Sequence, residues 1–226
     1  MDDSGAEIIG PTLWPWLLAD KMSMATEPDD IQRIQRVGTR RCFKKGSVIT
    51  QYGESVSGIY FLTKGEVTGR YFSASGAEKV IFIFRAPCFF NEALYLANLQ
   101  SNMELEASAD SELTYINKNT LDRLLTTDAA FNLILMKYMA RKTRLILAQL
   151  IDIITLSPVE RVRKVLLLYA RDEGIRHADG VHVFISQEEL ATITGLHRVT
   201  VAKAFRQLKD NGLIIRTSKS LVVLAP

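Results

Sequence analysis

A long helix with an apolar seam constrains this chain more than any other feature of its sequence. Between residues 128 and 156, apolar or small side chains recur at alternating spacings of three and four, the pattern of a coiled-coil seam. At about 1.5 Å per residue such a helix is roughly 43 Å long, more than a small globular core requires. Asp128 is placed to cap its N-terminus. The predicted dimerisation seam consists of Leu133, Met136, Ala140, Thr143, Leu147, Leu150 and Ile154.

A second apolar stripe runs along the same helix, at Met139, Ile146 and Ile153. We expect this stripe to pack on the domain that precedes the helix. Two stripes need two partners, so the seam is predicted to pair with the same helix of a second copy, giving a homodimer. The alternative is a helix that is buried within one subunit.

Short strands and glycine turns dominate the region before the helix, from residue 38 to residue 116. Runs at residues 47–50, 58–62 and 79–84 are rich in β-branched and aromatic residues, and glycines separate them. This pattern is typical of a closed or two-sheet antiparallel β structure. An apolar arm broken by prolines, at residues 11–18, is expected to pack on that domain.

Two helices joined by a glycine turn follow the long helix, which ends at Ser157 and Pro158. Residues 186–189 have the pattern of a capping box, in which the Ser186 hydroxyl and the Glu189 carboxylate satisfy each other's backbone N–H groups. Gly195 supplies the turn, and a second helix is predicted over residues 197–211. Residues 213–224 predict a β-hairpin. Together these elements indicate a winged helix-turn-helix.

Positive charge is concentrated in this last part of the chain. Residues 157–226 contain eleven Lys and Arg against seven Asp and Glu, a net charge of +4, whereas the whole chain carries +3. A basic unit of this kind is typical of proteins that bind a polyanion, here double-stranded DNA. A winged helix used for protein contacts is the alternative. The residues predicted to contact DNA are His197, Arg198, Val199, Thr200, Lys203, Arg216 and Lys219.

Four segments resemble the cyclic-AMP receptor/fumarate-nitrate regulator (CRP/FNR) family: Phe-Lys-Lys-Gly at residues 43–46, Gly-Ile-Tyr-Phe-Leu-Thr-Lys-Gly-Glu-Val at 58–67, Tyr-Met-Ala-Arg-Lys at 138–142 and Gly-Leu-His-Arg-Val-Thr-Val at 195–201. The resemblance implies an α+β protein with a β-roll sensor, a cyclic-nucleotide-binding-like jelly roll. Its domains would be the sensor with its N-terminal arm at residues 1–126, a dimerisation helix at 127–156 and a winged-helix domain at 157–226. It also implies a homodimeric transcription regulator that binds a palindromic operator, a small effector and RNA polymerase.

In that family, the residues that match Arg198, Val199 and Lys203 face bases. The usual residues there are Arg, Glu and Arg. A carboxylate accepts a hydrogen bond from cytosine N4, whereas a valine side chain does not. The resemblance therefore implies an operator that differs from the common one at that base pair.

The family's phosphate-binding cassette falls at residues 89–94, where this sequence departs from the nucleotide-binding members. Those members have Gly, Arg, and Ser or Thr where this chain has Asn91, Asn102 and Met103, and they have Thr-Ser where it has Ile146 and Leu147. The guanidinium that pairs with a cyclic phosphate is therefore missing. We predict that cyclic AMP does not bind.

The sensor also lacks the residues that hold the family's known cofactors. Iron–sulfur members need an N-terminal cysteine cluster and haem-binding members a sensor histidine, but all three histidines lie beyond residue 156. We predict no cofactor and no metal, with haem ligation by Cys88 as a weaker alternative. Cys42 and Cys88 are interpreted either as a redox pair or as two buried thiols.

An aromatic pocket is the remaining candidate for an effector site, although we interpret most of these side chains as β-roll core and favour Tyr138 and Arg141 as the residues that contact an effector. Its predicted lining is Tyr71, Phe82, Phe84, Phe89 and Tyr138. The predicted effector-binding residues are Asn91, Glu92, Asn102, Tyr138 and Arg141. The proline-rich arm, the altered cassette and residues 195–201 are similar to the chlorophenol-responsive regulators, which implies a halogenated phenolic effector with its phenolate near Tyr138 and Arg141. The alternative is an effector-independent or redox-responsive regulator of the same fold.

Other classes of protein lack support in the sequence. A Gly-rich phosphate loop, HExxH and GxSxG are all absent, so an enzyme is not expected. No apolar run reaches membrane-spanning length, the first residues lack a basic n-region, and two cysteines are too few for a disulfide framework. We expect a cytoplasmic protein with no membrane partner.

Overall fold

The computed structural model describes residues 28–73, 78–172, 174–217 and 220–224. The apolar arm predicted at residues 11–18 lies outside these described residues. Within them, the N-terminal half is a β-roll of two antiparallel four-stranded sheets, with orders β1-β8-β3-β6 and β2-β7-β4-β5. The strands are β1 (Thr39–Phe43), β2 (Val48–Thr50), β3 (Gly58–Lys64), β4 (Glu66–Phe72), β5 (Glu78–Arg85), β6 (Cys88–Phe90), β7 (Glu104–Ala107) and β8 (Ser111–Asn117).

An apolar run forms β3, a central strand of its sheet. The first five residues of β3 are all buried, because this strand lies between β8 and β6 with side chains covered on both faces. Gly65 then turns the chain into β4 with a φ of 93°. A Cβ atom there would lie 2.4 Å from the Ser111 hydroxyl, so only glycine fits this turn. The predicted antiparallel β structure and the α+β class are confirmed.

Two short helices flank the roll. Helix α1 (Pro28–Val37) was not predicted, and its Ile34 is fully buried in the core of the roll. Helix α2 (Glu92–Leu96) follows β6 directly, with Asn91 at its N-cap position in the left-handed conformation at a φ of 70°. The cassette segment therefore forms a strand, a sharp turn and one turn of helix.

Helix α3 (Lys118–Thr127) leads into the long helix α4 (Ala129–Thr155). Asp128 caps α4 as predicted, since its carboxylate accepts from the Phe131 N–H at 3.0 Å. Arg33 of α1 donates to the same carboxylate at 2.7 Å. The cap therefore also ties α1 to the start of the long helix.

The second stripe predicted on α4 is wrong for two of its three residues. Met139 packs against the core of the roll, but Ile146 and Ile153 are 51% and 46% exposed. The helix instead turns Tyr138 and Leu145 inwards. Tyr138 and Leu145 are seven positions apart, and each comes one position before a residue of the predicted stripe. One position corresponds to a rotation of about 100° around the helix axis.

The C-terminal half is a winged helix. Its sheet has the order β11-β12-β10-β9, and β9 was not predicted. Strand β10, which joins β9 to β12 in this sheet, begins at Gly180 and ends at Val183. The elements are α5 (Pro158–Asp172), β9 (Ile175–His177), β10 (Gly180–Val183), α6 (Gln187–Thr194), α7 (Arg198–Asp210), β11 (Ile214–Arg216) and β12 (Leu221–Val223).

Candidate nucleic-acid interface and effector site

Helices α6 and α7 form the predicted helix-turn-helix. The capping box is present: the Ser186 hydroxyl accepts from the Glu189 N–H at 3.0 Å, and the Glu189 carboxylate accepts from the Ser186 N–H at 2.8 Å. Gly195 ends α6 in the left-handed conformation, with a φ of 65°. These local interactions fix where α6 begins and ends, and so where the turn into α7 lies.

The two faces of α7 differ sharply in burial. Val201, Ala204 and Leu208 are at most 1% exposed and anchor the helix to the domain. Phe205, on the same helix, is only partly buried.

The outward face holds the residues that the sequence singled out. Arg198 and Lys203 are exposed, and Val199 is 67% exposed. Thr200 is partly buried, and His197 is exposed at the N-cap position without a side-chain capping bond. Helix α7 has 13 residues, so it is about 20 Å long, a suitable length for a DNA major groove.

Sequence reasoning missed one basic residue of this face. Arg206 is exposed on α7, three positions after Lys203 and seven after Val199. Helical periodicity places residues at these spacings on one face. The same periodicity, applied beyond Lys203, would have found it.

A groove joins α7 to the hairpin of β11 and β12. It has a volume of about 440 Å³, and Arg198 and Arg216 both line it, as do residues at the start of α6. At the hairpin turn the Thr217 N–H donates to the Ser220 carbonyl at 2.9 Å. Lys219, the other predicted hairpin contact, lies outside the described residues. The groove therefore carries positive charge from both the second helix and the wing.

In the sensor, a buried ion pair lies at the cassette. Glu92 of α2 is 2% exposed, and the Lys142 ammonium of α4 donates to its Oε1 atom at 2.5 Å. The same ammonium donates to the Phe89 carbonyl and lies 5.0 Å from the centre of the Phe84 ring. Lys142 was not among the predicted effector residues. Lys142 lies one turn after Tyr138 on the inward face of α4, and this spacing could have identified it from the sequence.

The other predicted effector residues are only partly brought together. Tyr138 is 3% exposed. The Arg141 guanidinium lies over the Tyr138 ring, 5.3 Å from the centre of that ring. The Asn91 amide donates to the Thr50 hydroxyl at 3.0 Å. Asn102, by contrast, is exposed, because it lies in the loop before β7. The structure therefore gathers Glu92, Tyr138 and Arg141 beside Lys142, and leaves Asn102 at the surface.

The predicted aromatic pocket is packed as core. Ring centres of Phe61 and Phe89 lie 4.6 Å apart, those of Phe89 and Tyr138 5.3 Å apart, and those of Phe82 and Phe84 5.2 Å apart. At these separations the rings touch, so they form the wall behind the ion pair. Tyr71 was wrongly placed in this set, since it is 43% exposed on β4.

Comparison with known proteins agrees with both halves of this architecture. The cyclic nucleotide-binding domain family matches residues 40–128, and the Crp-like helix-turn-helix domain family matches residues 160–226. The chain belongs to the CRP/FNR family of transcription regulators. It is therefore a DNA-binding regulator of the CRP/FNR type, and the matching families are not enzyme families.

Curated relatives of this CRP/FNR regulator include two that are named as cAMP-activated global transcriptional regulators. Vfr of Pseudomonas aeruginosa is 26% identical over 189 residues, which cover 81% of this chain and 88% of Vfr. CRP of Pasteurella multocida is 25% identical over 179 residues, covering 78% and 86% of the two chains. Members of this family bind DNA and small effectors and act as dimers.

Solved structures share the fold of this CRP/FNR regulator. The c-di-GMP-responsive global regulator CLP of Xanthomonas campestris superposes with a TM-score of 0.72 at 20% identity, over 88% of this chain and all of CLP. CprK complexed with OCPA superposes with a TM-score of 0.65 at 20% identity, over 86% and 91% of the two chains. At these identities the likeness concerns the fold.

Two further features concern metal binding and membrane insertion. Among the described residues, no three His, Cys, Asp or Glu side chains gather into a metal site. None of the described helices combines the length and the apolar character needed to cross a bilayer.

The two cysteines of this CRP/FNR regulator differ in exposure. Cys88 is fully buried, but Cys42 is exposed, so the interpretation of two buried thiols is wrong for Cys42. Their strands, β1 and β6, are the opposite edges of one four-stranded sheet, three strand spacings or about 14 Å apart. A disulfide needs Cα atoms within about 7 Å, so the described fold excludes an intramolecular redox pair.

We predict that only one thiol of the native protein reacts with Ellman's reagent. Burial raises the pKa of Cys88 to about 12, so almost none of it is thiolate at pH 8, whereas Cys42 lies open to solvent. Thiol titration in buffer should give one equivalent per chain, and titration in guanidinium should give two. Rapid reaction of both thiols in the native protein would contradict the buried position of Cys88.

Proposed function

We propose that this regulator is a homodimer that reads a palindromic operator, contacts RNA polymerase and responds to a small anionic effector other than cyclic AMP. The observation that supports the proposal most directly is the solvent exposure of the apolar seam on α4. Every seam residue is exposed in the single chain, and four of them, Leu133, Met136, Leu147 and Leu150, are 50–57% exposed. An apolar stripe of this length is covered in solution by another surface.

A second copy is the partner that fits this stripe. A coiled-coil seam is self-complementary about a two-fold axis, so each α4 covers the other. Burying a Leu or Ile side chain contributes about 1.5–3 kcal/mol, and each chain supplies several of them. The same axis relates the two α7 helices and sets them to enter successive major grooves about 34 Å apart. Because its target is chromosomal DNA, we expect the protein to act in the cytoplasm.

The ion pair of Glu92 and Lys142 supports an anionic effector. Its lysine is fixed on the helix that carries the dimer seam, while its carboxylate is fixed on α2 in the cassette. The second Glu92 oxygen, Oε2, is buried and has no hydrogen-bond partner in the part of the chain that the structure describes. An effector carboxylate or phenolate that replaces Glu92 at Lys142 would break the link between cassette and seam. A halogenated phenolic compound remains the proposed class, with Tyr138 and the neighbouring rings beside it.

A ligand-stability experiment tests this proposal. An effector present at about 100 times its Kd should add about 2.7 kcal/mol of stability to the wild-type protein. Lys142→Met should abolish this gain for halogenated phenols and phenylacetates, because the ammonium is its anchor. Lys137→Met, on an exposed part of the same helix, is the matched control and should keep the gain.

A double variant separates binding from folding in this test. Lys142→Met alone leaves Glu92 buried and unpaired, at a cost of about 3–5 kcal/mol. Replacing both partners, as Lys142→Met with Glu92→Leu, should recover most of that stability and still give no response to the anions. If the double variant responds as the wild-type protein does, the effector site is elsewhere.

We also predict that cyclic AMP does not bind measurably. Asn102 is exposed and carries no charge to pair with a cyclic phosphate, and Ile146 and Leu147 offer no hydrogen bond to an adenine. Calorimetry with the purified protein should show no heat of binding up to millimolar nucleotide. The relatives that are named as cAMP-activated would be the positive control, and micromolar binding by this chain would contradict the prediction.

A further inference from the structure

The sensor contributes a strand to the core of the DNA-binding half. Val80 and Ile83 of β5 are 6% and 8% exposed, and they belong to the same buried cluster as α6 residues such as Leu190 and Ile193. The two halves therefore meet at a packed junction formed by β5, the end of α4, the start of α5 and α6.

Buried hydrogen-bond donors without partners line this junction. A cavity of about 10 Å³ lies there, bounded by Lys79 of β5, Gln149 and Asp152 of α4, Arg161 of α5 and Thr194 of α6. The Arg161 Nε and Gln149 Nε2 atoms are both buried, and neither has a hydrogen-bond partner among the described residues. A buried donor left unsatisfied costs about 1–3 kcal/mol, so two at one cavity call for a guest that accepts from both.

The charges around the cavity decide what kind of guest it takes. Asp152 is the one carboxylate among the described lining residues. It already forms an ion pair with Lys164, whose ammonium lies 2.6 and 2.7 Å from the two carboxylate oxygens. Lys79 and Arg161 are left as two positive charges against no remaining negative one. Burial, and then the neighbouring Arg161, lower the pKa of Lys79. A partly buried pair of cations is unfavourable unless an anion lies between or beside them.

The size of the cavity limits the anion. A volume near 10 Å³ accepts one particle of about the size of water, and a phosphate or a nucleotide is far larger. A water molecule would satisfy the donors but would leave both charges uncompensated. A chloride ion is larger than water but much smaller than a phosphate, and it accepts hydrogen bonds and supplies the missing charge.

We propose that a single halide-sized monovalent anion, chloride in the cell, binds at this junction between Lys79, Arg161 and Gln149. The anion holds the DNA-binding half against β5 of the sensor. The Lys79 side chain packs against the helix-turn-helix turn, 3.1 Å from where a Cβ of Gly195 would lie, so the anion acts directly beside the element that positions α7. This site is independent of the effector proposed above.

Thermal unfolding of the full chain without DNA tests the site. At equal ionic strength, sodium chloride or bromide should raise the Tm above its value in sodium gluconate, by on the order of 5 °C when the halide is at 100 times its Kd. Arg161→Gln should remove this difference. Arg163→Gln makes the same charge change at an exposed position on the same helix, and it should leave the difference unchanged.

Two further measurements cover the case in which Arg161→Gln does not fold. Lys79→Met should also remove the halide effect, and crystals grown in bromide should show an anomalous peak beside Arg161 Nε. Equal Tm values in halide and gluconate, an equal loss in Arg163→Gln, or density for water alone at this position would each overturn the proposal.

Discussion

Leu150→Glu should turn the regulator into a monomer that no longer binds its operator specifically. Leu150 is 50% exposed on α4, near the C-terminal end of the proposed dimer seam. The two-fold axis would bring two glutamates into one interface, each without a partner. Removing a charge from water without a partner costs several kcal/mol, and the variant also loses the apolar contacts of both Leu150 side chains, so we expect the dimer to dissociate. A monomer contacts one half-site and loses the recognition energy of the other.

Sedimentation and a DNA shift assay measure the two consequences separately. Ala130→Glu is the matched control, because it places the same carboxylate on an exposed position of α4 outside the seam. It should remain dimeric and keep its affinity for DNA. Circular dichroism should show equal helix content in the two variants. A wild-type protein that sediments as a monomer would contradict the dimer, and so would a Leu150→Glu dimer.

The sequence predicted the parts of the fold that local signals specify. The capping box spans four residues, Gly195 takes the conformation that its turn requires, and Asp128 caps the residue three positions later. Each of these interactions forms between neighbours along the chain. That is why the helix-turn-helix and the start of α4 were both placed correctly from single positions.

The face that α4 turns inwards was harder to predict. Apolar residues occur on several sides of this helix, and the sequence pattern does not say which of two adjacent stripes meets the roll. The predicted inward stripe contains Ile146, whereas the structure buries Leu145, one residue earlier. A step of one residue rotates a helix by about 100°, enough to exchange a buried side chain for an exposed one.

The candidate effector site depended on pairings that the sequence does not display. Glu92 and Lys142 are 50 residues apart, and only the packing of α4 on the cassette brings them together. The family resemblance gave the position of Glu92 but no partner for it. Asn102 was included because the family has an arginine there, yet in this chain the loop leaves it in solvent. Chemistry that rests on distant contacts therefore appeared only in the structure.

Arg198→Ala should relax the preference for one base pair in each half-site. The guanidinium is exposed at the start of α7, where the ends of recognition helices meet base edges, and a bidentate contact to guanine O6 and N7 is its proposed role. Losing such a contact costs about 1–3 kcal/mol, so the two half-sites of a dimer together lose about 2–6 kcal/mol. Affinity should fall by between about 30-fold and about 20,000-fold at a fixed salt concentration.

Arg216→Ala is the control that separates base reading from phosphate contact. Arg216 lies on β11 and lines the same groove as Arg198, and its proposed partner is a phosphate. Its loss should weaken binding to all sequences alike, and the slope of log affinity against log salt concentration should fall by about one per half-site. The base preference recovered from a random DNA pool should stay the same. A changed preference would make Arg216 a base contact.

We expect Val199 to determine the base preference next to the position that Arg198 is proposed to read. Its side chain is 67% exposed on the same turn of α7, so in the proposed complex it would present methyl groups to the DNA major groove. A methyl group packs on the C5-methyl of thymine and offers nothing to the amino group of cytosine, so we expect thymine there. Val199→Glu should reverse this preference to cytosine, because a carboxylate accepts from cytosine N4. Selection from a random pool with the wild-type protein and this variant measures both preferences. Recovery of an asymmetric site, or of the same base with valine and glutamate, would show that α7 does not read DNA in this way.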